Sequence, residues 1–317
     1  MFHPGAIEVT RLAHYTGHRD CVYALARFPQ SPFVYSASGD GSVARWDLRE
    51  PLLDGVINAR VSSSVYALCP LPGTDILLIA ENFSGLHAVD MKLKKESASV
   101  KFTESAIFDV QHSAAGTHIY VACGDGQLHL IESLALRRLQ SIQLGKDSIR
   151  CLALDASGGL LAAGSSDGFI RVLSAQSLKV LYEFRAHDNS VFAVRFLPNG
   201  LLVSGSRDAK LKTWDPAKGF SPVQTVPAHL YAINSLAVLP ASAQRQALLL
   251  SAGMDKTIKV WDADTLRLLK VIDYARHGGH TASVNRVCAI QHPDFPDTFI
   301  SCSDDRTVSV WRLKEPA

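Results

Sequence analysis

SASGDGSVARWD, residues 36–47, recurs as SGSRDAKLKTWD at 204–215, SAGMDKTIKVWD at 251–262 and SCSDDRTVSVWR at 301–312. Each copy has a serine, an aspartate four positions later and a tryptophan six positions after that, and each has a histidine upstream. Serine, histidine and aspartate together suggest a hydrolase triad, in which the histidine activates the serine hydroxyl. The alternative is a structural unit, and the number of copies helps to decide between the two.

The repeat extends along the whole chain. Apolar segments such as VYALARF, VYALCPL and VFAVRFL begin at positions 22, 65, 107, 149, 191, 233 and 284. An aspartate lies 17 to 22 residues after six of these seven starts, and all four tryptophans of the chain stand at one position, six residues further on. Each unit reads as four short strands joined by turns. Four strands in about 42 residues is the period of a propeller blade.

The units resemble the WD40-repeat β-propellers, through Gly-His at 17–18 and Trp-Asp at 46–47, 214–215 and 261–262. The resemblance covers essentially the whole chain and implies an all-β, seven-bladed ring with four antiparallel strands per blade, a single domain over residues 1–317. Residues 6–12, AIEVTRL, match the fourth-strand segments, whereas the chain stops after a third strand. We therefore expect the N-terminal segment to complete the last blade and close the ring, which removes two exposed sheet edges.

Four of the seven blades, numbered in chain order, carry a complete tetrad. The tetrads are His18-Ser36-Asp40-Trp46, His187-Ser204-Asp208-Trp214, His229-Ser251-Asp255-Trp261 and His280-Ser301-Asp305-Trp311. A catalytic triad is normally needed once and requires no indole, so the recurrence favours a buried hydrogen-bond network, as the family resemblance also implies. Blades 2, 3 and 4 have apolar or small residues at most tetrad positions. Neutral drift and adaptation to a partner both explain that loss, and we expect these blades to form a softer arc of the ring.

The resemblance also implies a binding face around the central channel. In WD40 proteins this face includes the residue just after each repeat start, and here these residues are Tyr23, Tyr66, Phe108, Arg150, Phe192, Asn234 and Asn285. The residues just before the turn aspartates add Arg207, Met254 and Asp304. Aromatic and arginine side chains are the usual energetic centres of interfaces, so this face predicts a protein or peptide partner. The alternative is that the aromatic rings pack between blades.

Composition argues against several other classes of protein. The net charge is +2 with scattered basic residues, whereas nucleic-acid binding requires a concentrated basic face. We expect a cytoplasmic protein, because no segment reaches the roughly 18 apolar residues of a membrane span and the N-terminus has no signal-like apolar core. We also expect a monomeric ring. The six cysteines stand singly and predict buried, reduced thiols. We expect no metal and no cofactor, since His277 and His280 have no evident third ligand.

Two functions remain open at this stage. The first is a non-enzymatic scaffold that binds a protein or peptide at the mouth of the channel. The second is an enzyme or small-ligand binder that uses the channel itself. No cluster of acids, bases or metal ligands remains once the tetrads are assigned, which favours the scaffold. A deep pocket with converging carboxylates or histidines would favour chemistry, and a broad aromatic mouth would favour peptides.

Overall fold

Each repeat folds into one sheet. In the computed structural model, which describes residues 7–242 and 245–314, 28 β-strands form seven antiparallel sheets of four strands each. The innermost strands of successive sheets contact one another in order, and the first contacts the last, so that they surround a central channel. The prediction of an all-β, seven-bladed propeller is confirmed. No helix in the described ranges is long and apolar enough to cross a membrane.

The strands follow the repeat closely. The chain begins with β1, Glu8–Tyr15, which belongs to the last blade. Blade 1 consists of β2 Val22–Arg27, β3 Phe33–Ser38, β4 Ser42–Asp47 and β5 Val56–Arg60. Blade 2 consists of β6 Val65–Pro70, β7 Ile76–Glu81, β8 Gly85–Asp90 and β9 Lys95–Val100. Blade 3 consists of β10 Ile107–His112, β11 His118–Cys123, β12 Gln127–Glu132 and β13 Arg138–Gln143.

The second half of the ring adds two short helical turns. Blade 4 consists of β14 Ile149–Leu154, β15 Leu160–Ser165, β16 Phe169–Ser174 and β17 Val180–Arg185. Blade 5 consists of β18 Val191–Phe196, β19 Leu202–Ser206, β20 Lys210–Asp215 and β21 Ser221–Pro227, with a 3-10 turn at Pro216–Lys218. Blade 6 consists of β22 Ile233–Leu239, β23 Leu248–Gly253, β24 Ile258–Asp262 and β25 Leu268–Ile272. The helix α1, Tyr274–His277, then leads to β26 Val284–Ile290, β27 Thr298–Ser303 and β28 Val308–Lys314 of blade 7.

The ring is closed by the N-terminal strand. β1 pairs antiparallel with β28, from Glu8 opposite Lys314 to Tyr15 opposite Val308, and so supplies the fourth strand of blade 7. This closure is confirmed, but the predicted bounds 6–12 differ from the strand. The strand continues three residues beyond Leu12, and Ala6 lies outside the described residues.

The hydrophobic core lies between blades. Seven clusters of buried residues occur in the described ranges, and each combines side chains of two neighbouring blades. The cluster between blades 7 and 1, for example, packs Val22 and Trp46 against Ile300 and Val308. Burying apolar surface is the dominant favourable term in folding, and here a blade obtains it only from its neighbours.

A bulge marks the start of every innermost strand. The pairing of each innermost strand with the second strand of its sheet skips one residue, directly after the first residue of the strand. The skipped residues are Tyr23, Tyr66, Phe108, Arg150, Phe192, Asn234 and Asn285. A bulge bends the strand and redirects the extra side chain, so these seven side chains leave the regular pleat at one end of the channel.

Closure predicts a large effect for one tyrosine of β1. Tyr15 is 4% exposed, its ring stacks on Trp46 of blade 1 with 4.6 Å between the centroids, and its hydroxyl donates to the carbonyl oxygen of Asp47 at 3.4 Å. We expect Tyr15→Ala to lower the free energy of unfolding by about 3 kcal/mol, the loss typical of a buried ring. Thr10→Ala, at an exposed position of the same strand, is the control and should change it by less than about 0.5 kcal/mol. Equal urea midpoints for the two variants would show that closure does not depend on this contact.

Candidate functional site

The tetrads of blades 5, 6 and 7 form the same chain of hydrogen bonds. The indole Nε1 donates to the serine Oγ at 2.9, 2.8 and 2.8 Å, and the histidine Nε2 lies 2.8, 2.7 and 2.8 Å from that Oγ. The histidine Nδ1 lies 2.9, 2.9 and 3.1 Å from the nearest aspartate oxygen. The chain therefore ties the third strand and the second strand of a blade to the turn between them.

The tetrad of blade 1 contains an additional residue. His18 Nε2 lies 2.7 Å from Ser36 Oγ, and Trp46 Nε1 donates to the same oxygen at 2.8 Å. His18 Nδ1, however, bonds to Ser42 Oγ at 3.1 Å, and the Ser42 hydroxyl in turn donates to Asp40. Blade 1 thus has a five-membered chain, in which Ser42 replaces the direct bond between histidine and aspartate. Thr257 and Thr307 stand at the same position in blades 6 and 7, but there they supplement the direct bond.

Protonation in these chains follows from burial. Burial lowers the pKa of His187, which favours the neutral imidazole. Burial alone would raise the pKa of Asp208, but the hydrogen bond from His187 and two backbone N–H groups outweigh it and lower the pKa to about 2. A neutral ring that donates Nδ1–H to the carboxylate accepts the serine hydroxyl at Nε2. The serine Oγ then remains free to accept the indole N–H.

The geometry supports the structural interpretation of the tetrads over the catalytic one. All four tetrad serines are 0% exposed, and each Oγ is occupied by an indole and an imidazole. A nucleophile must reach the substrate, and these hydroxyl groups are sealed from solvent.

Blades 2, 3 and 4 contain other polar networks, and these also include buried side chains. In blade 2, the Ser62 hydroxyl donates to Glu81, which is 2% exposed, and His87 Nε2 lies 2.9 Å from the same carboxylate. In blade 4, Arg171 contacts Asp167 at 2.9 Å between Nη2 and Oδ2 and Glu183 at 3.1 Å between Nε and Oε2.

Blade 3 divides its network into two parts. The Thr103 hydroxyl donates to Asp125 Oδ2 at 3.0 Å. His129 Nδ1 lies 2.7 Å from Ser141 Oγ, and its ring meets the edge of Phe102 with 4.8 Å between the centroids. Polar contacts therefore remain in all three blades, although His129 Nε2 has no hydrogen-bond partner among the described residues, and the softer arc stays a prediction.

Sequence reasoning missed these networks although a signal was present. His87, His129 and Arg171 occupy one position of the repeat, two residues before the tryptophan position. Each stands within an otherwise apolar third strand, GLHAVD, QLHLIE or FIRVLS. A buried polar side chain requires partners, so this position could have indicated a second set of hydrogen bonds or ion pairs within these blades.

We call each tetrad a brace, and the brace of blade 6 can be tested by removing the serine hydroxyl that joins the indole to the imidazole. In Ser251→Ala, the Trp261 indole and His229 Nε2 lose a partner in the core, and we expect the free energy of unfolding to fall by about 2 kcal/mol. In a Trp261→Phe background no indole N–H remains, so the same substitution should cost less. Urea denaturation of the four proteins measures both values. Equal costs in the two backgrounds would show that the indole bond does not contribute.

The aspartates of the braces predict acid sensitivity. Because the pKa of Asp208 in the fold is about 2, below the 3.8 of a free side chain, its contribution is complete above pH 4 and is lost as the pH falls towards 2. The contribution is about 2 kcal/mol, at 1.36 kcal/mol per pKa unit. We expect Asp208→Asn to be less stable than wild type at pH 7, by a margin that shrinks between pH 4 and pH 3. Asp188→Asn, with a carboxylate that is 74% exposed, should follow the wild-type curve throughout.

The seven bulge residues surround a cavity at one end of the channel. The cavity has a volume of about 500 Å³, and all seven side chains predicted from the residue after each repeat start line it. Asn82, Phe83, Ala106 and Arg286 complete the lining. We call this region the mouth.

One side of the mouth is a continuous row of rings and one cation. The rings of Tyr23 and Tyr66 lie 5.0 Å apart between centroids, and those of Tyr66 and Phe108 lie 5.7 Å apart. The guanidinium of Arg150 lies 3.8 Å from the Phe108 centroid and 4.9 Å from that of Phe192. All five side chains are half-buried. The rings thus pack across neighbouring blades and also line the cavity, so both interpretations of them describe part of their role.

The other side of the mouth is held by asparagines. Asn234 Nδ2 donates to Ser283 Oγ at 2.9 Å and so joins blade 6 to blade 7. Asn285 Nδ2 donates to the carbonyl oxygen of Val22 at 3.0 Å and to Asp304 at 2.7 Å, which joins blade 7 to blade 1. These side-chain amides form hydrogen bonds between blades, whereas the row on the opposite side connects blades through the packing of its rings.

The three residues predicted from the turns lie beside the mouth. Arg207, Met254 and Asp304 do not line the cavity. Their backbone N–H groups donate to the carbonyl oxygens of the residues just before β18, β22 and β26, so they stand next to the bulges at the same end of the channel. Arg207 and Met254 are exposed, and Asp304 is half-buried.

Arg286 is a mouth residue that sequence reasoning missed. Its Nη2 lies 3.5 Å from the carbonyl oxygen of Tyr66 and 3.8 Å from Asp109 Oδ1, across the channel. Asp109 also accepts the backbone N–H of Leu152 at 2.9 Å. The signal was a charged residue at the third position of two innermost strands, VNRVCAI and IFDVQHS, where the other blades have alanine, cysteine or serine.

The side chains that line the mouth are mostly aromatic, amide or cationic. Its lining combines aromatic rings, amides and two guanidiniums, without a carboxylate or an imidazole. Across residues 7–242 and 245–314, no group of three or more histidine, cysteine or acidic side chains is placed to hold a metal ion. An arrangement of this kind favours contacts with a ligand over acid–base chemistry.

Comparison with known proteins identifies the family. The family model described as "WD domain, G-beta repeat" matches residues 9–47, 137–174, 178–215, 220–262 and 273–312, more than half of the chain. The protein belongs to the WD40 repeat family. The matches leave out residues 48–136, which hold blade 2 and most of blade 3, two of the blades that have replaced the tetrad.

Three similar curated proteins are each longer than this chain. Nuclear distribution protein PAC1 of Arthroderma otae is 28% identical over 181 residues, 55% of this chain and 37% of that protein. Transducin beta-like protein 3 of Bos taurus is 25% identical over 320 residues, 95% of this chain and 38% of that protein. Pre-rRNA-processing protein IPI3 of Mycosarcoma maydis is 26% identical over 201 residues, 58% of this chain and 32% of that protein. The chain spans less than two fifths of the length of each relative.

Proposed function

We propose that the protein is a non-enzymatic scaffold that holds a protein or peptide partner at the mouth. The row from Tyr23 to Phe192 carries this proposal, because it presents half-buried aromatic rings and a guanidinium to one cavity. Large, rigid rings and arginine supply most of the binding energy in protein interfaces. The exposed side chains of Arg207 and Met254 extend the surface beyond the cavity.

The relatives support a shared module and leave the process open. Their names refer to nuclear distribution and to pre-rRNA processing, which are different processes. Fold alone does not determine function, so we transfer neither process to this chain. What the relatives and this chain have in common is the WD40 propeller, a surface on which partners assemble.

The alternative of an enzyme that uses the channel is weaker on the geometry. The only serine-histidine-aspartate sets identified in the sequence are the braces, and their hydroxyl groups are fully buried. The mouth lining offers no carboxylate or imidazole to move a proton.

The proposal also covers the cellular compartment and the oligomeric state of the protein. All six cysteines are free thiols, and disulfides are rare in the reducing cytoplasm, so we place the protein there. We propose that it acts as a monomeric ring that needs neither cofactor nor metal. The net charge of +2 gives no general attraction for nucleic acid.

The proposal is tested by affinity purification: tagged protein is isolated from the cells that express it, and the partner proteins recovered with it are measured. We expect Tyr66→Ala and Arg150→Glu each to reduce recovery of the same proteins about tenfold or more, as loss of an interface centre does. Tyr274→Ala and Arg137→Glu are matched controls at exposed positions outside the mouth lining and should leave recovery unchanged. Thermal unfolding shows that each variant is folded. Unchanged recovery with both mouth variants would reject the mouth as the binding surface.

A further inference from the structure

The most unusual group in the mouth is the guanidinium of Arg150. It belongs to the bulge of blade 4 and lies between the rings of Phe108 from blade 3 and Phe192 from blade 5. Among the residues that the structure describes, none accepts a hydrogen bond from it or forms an ion pair with it. Its central carbon lies over both rings, and rings contacted in this way accept no conventional hydrogen bond from its five N–H donors.

Other arginines of the channel use their donors in the fold. Arg27 Nε donates to the carbonyl oxygen of Ala289 at 3.1 Å, and Arg195 Nη1 donates to that of Val194 at 2.7 Å. Arginine is charged at every physiological pH, so Arg150 brings a full positive charge and a set of unused donors into the cavity. A planar fork of this kind matches a carboxylate through two parallel hydrogen bonds.

The charges around the mouth favour one negative charge in the ligand. The lining contains two cations, Arg150 and Arg286, and no anion. Asp109, 3.8 Å from Arg286 Nη2, offsets one of them. Within the lining, one guanidinium therefore remains without an anion, which suits a single carboxylate. A phosphoryl group carries about two negative charges and would require a second unpaired cation in the lining, whereas Arg207 lies outside it.

We propose that Arg150 binds the carboxylate of an aspartate or glutamate side chain in a partner peptide. This inference rests on the proposed function and specifies the chemistry of the partner. The stack of Phe108 and Phe192 holds the guanidinium in one orientation before the peptide arrives, which lowers the entropy lost on binding. The rings of Tyr23 and Tyr66 contact the apolar residues beside the acid. A cavity of about 500 Å³ is large enough for a few side chains of this peptide.

The experiment starts from an array of heptapeptides with acetylated and amidated ends, a central glutamate and uncharged residues elsewhere. The strongest binders are resynthesised with glutamine or phosphoserine at the centre, and their Kd values for the whole protein are measured by calorimetry. We expect the change from glutamate to glutamine to weaken binding about 10- to 100-fold, the contribution of a charge-assisted hydrogen bond. Phosphoserine should bind less tightly than glutamate.

The direct contact is tested by a double-mutant cycle. In Arg150→Gln, the difference between the glutamate and glutamine peptides should disappear, because the two changes remove the same interaction. Arg150→Lys keeps the charge but loses the fork, and should recover only part of the discrimination. Thermal unfolding reports whether each variant is folded, and the comparison of peptides on the wild-type protein requires no variant.

Three results would overturn the inference. They are equal Kd values for the glutamate and glutamine peptides, a difference that persists in Arg150→Gln, and tighter binding of phosphoserine. Failure of every glutamate peptide to bind also counts against it. If peptides bind regardless of the central residue and Tyr66→Ala abolishes that binding, the scaffold proposal stands while the acidic contact is rejected.

Discussion

The structure depends on the sharing of every hydrophobic cluster between two blades. A four-stranded blade buries its apolar side chains only against its neighbours, so an open row of seven would leave two faces exposed to water. Closing the ring with β1 and β28 gives both terminal faces a partner. Tyr15 of β1 stacks on Trp46 of blade 1, so the strand that closes the ring also forms part of the core between blades 7 and 1. Closure of the ring and the core between these two blades therefore depend on the same strand.

Within the ring, the braces show that satisfied bonding matters more than a particular set of residues. The tetrads join indole, serine, imidazole and carboxylate in one chain, whereas blade 4 achieves a similar connection with Arg171 between Asp167 and Glu183. Leaving a buried polar group without a partner costs about 1 to 3 kcal/mol, which both of these solutions avoid, whereas His129 Nε2 of blade 3 has no partner among the described residues. A blade can thus lose the whole tetrad without losing its bracing. Divergence of sequence in blades 2 to 4 is consequently poor evidence for a loose structure.

The sequence predicted the features that repeat and missed those that join unlike blades. Five of the six spacings are 42 or 43 residues and indicated the blades, and one position in the repeat indicated seven of the residues that line the mouth, because a feature copied seven times is visible in a single chain. The pairing of Arg286 with Asp109 crosses the channel between distant blades, and no local spacing encodes it. The role of Asn285 was hidden for the same reason, since its acceptor is a carbonyl group of another blade. The strand β1 was recognised, but its bounds depend on pairing with β28 and could not be read from its own residues.

The polar groups on the two sides of the mouth differ in whether the fold already uses their hydrogen-bond donors. Near the blade that closes the ring, the side-chain amides of Asn234 and Asn285 donate hydrogen bonds to neighbouring blades. A ligand could bind these amides only by breaking those hydrogen bonds. On the opposite side, Arg150 is held by ring stacking, which fixes its position without using its hydrogen-bond donors. A group is available for recognition when the fold orients it through contacts that binding does not have to break. In the proposed scaffold, this asymmetry favours a partner that binds the row of rings and leaves the hydrogen bonds of Asn234 and Asn285 intact.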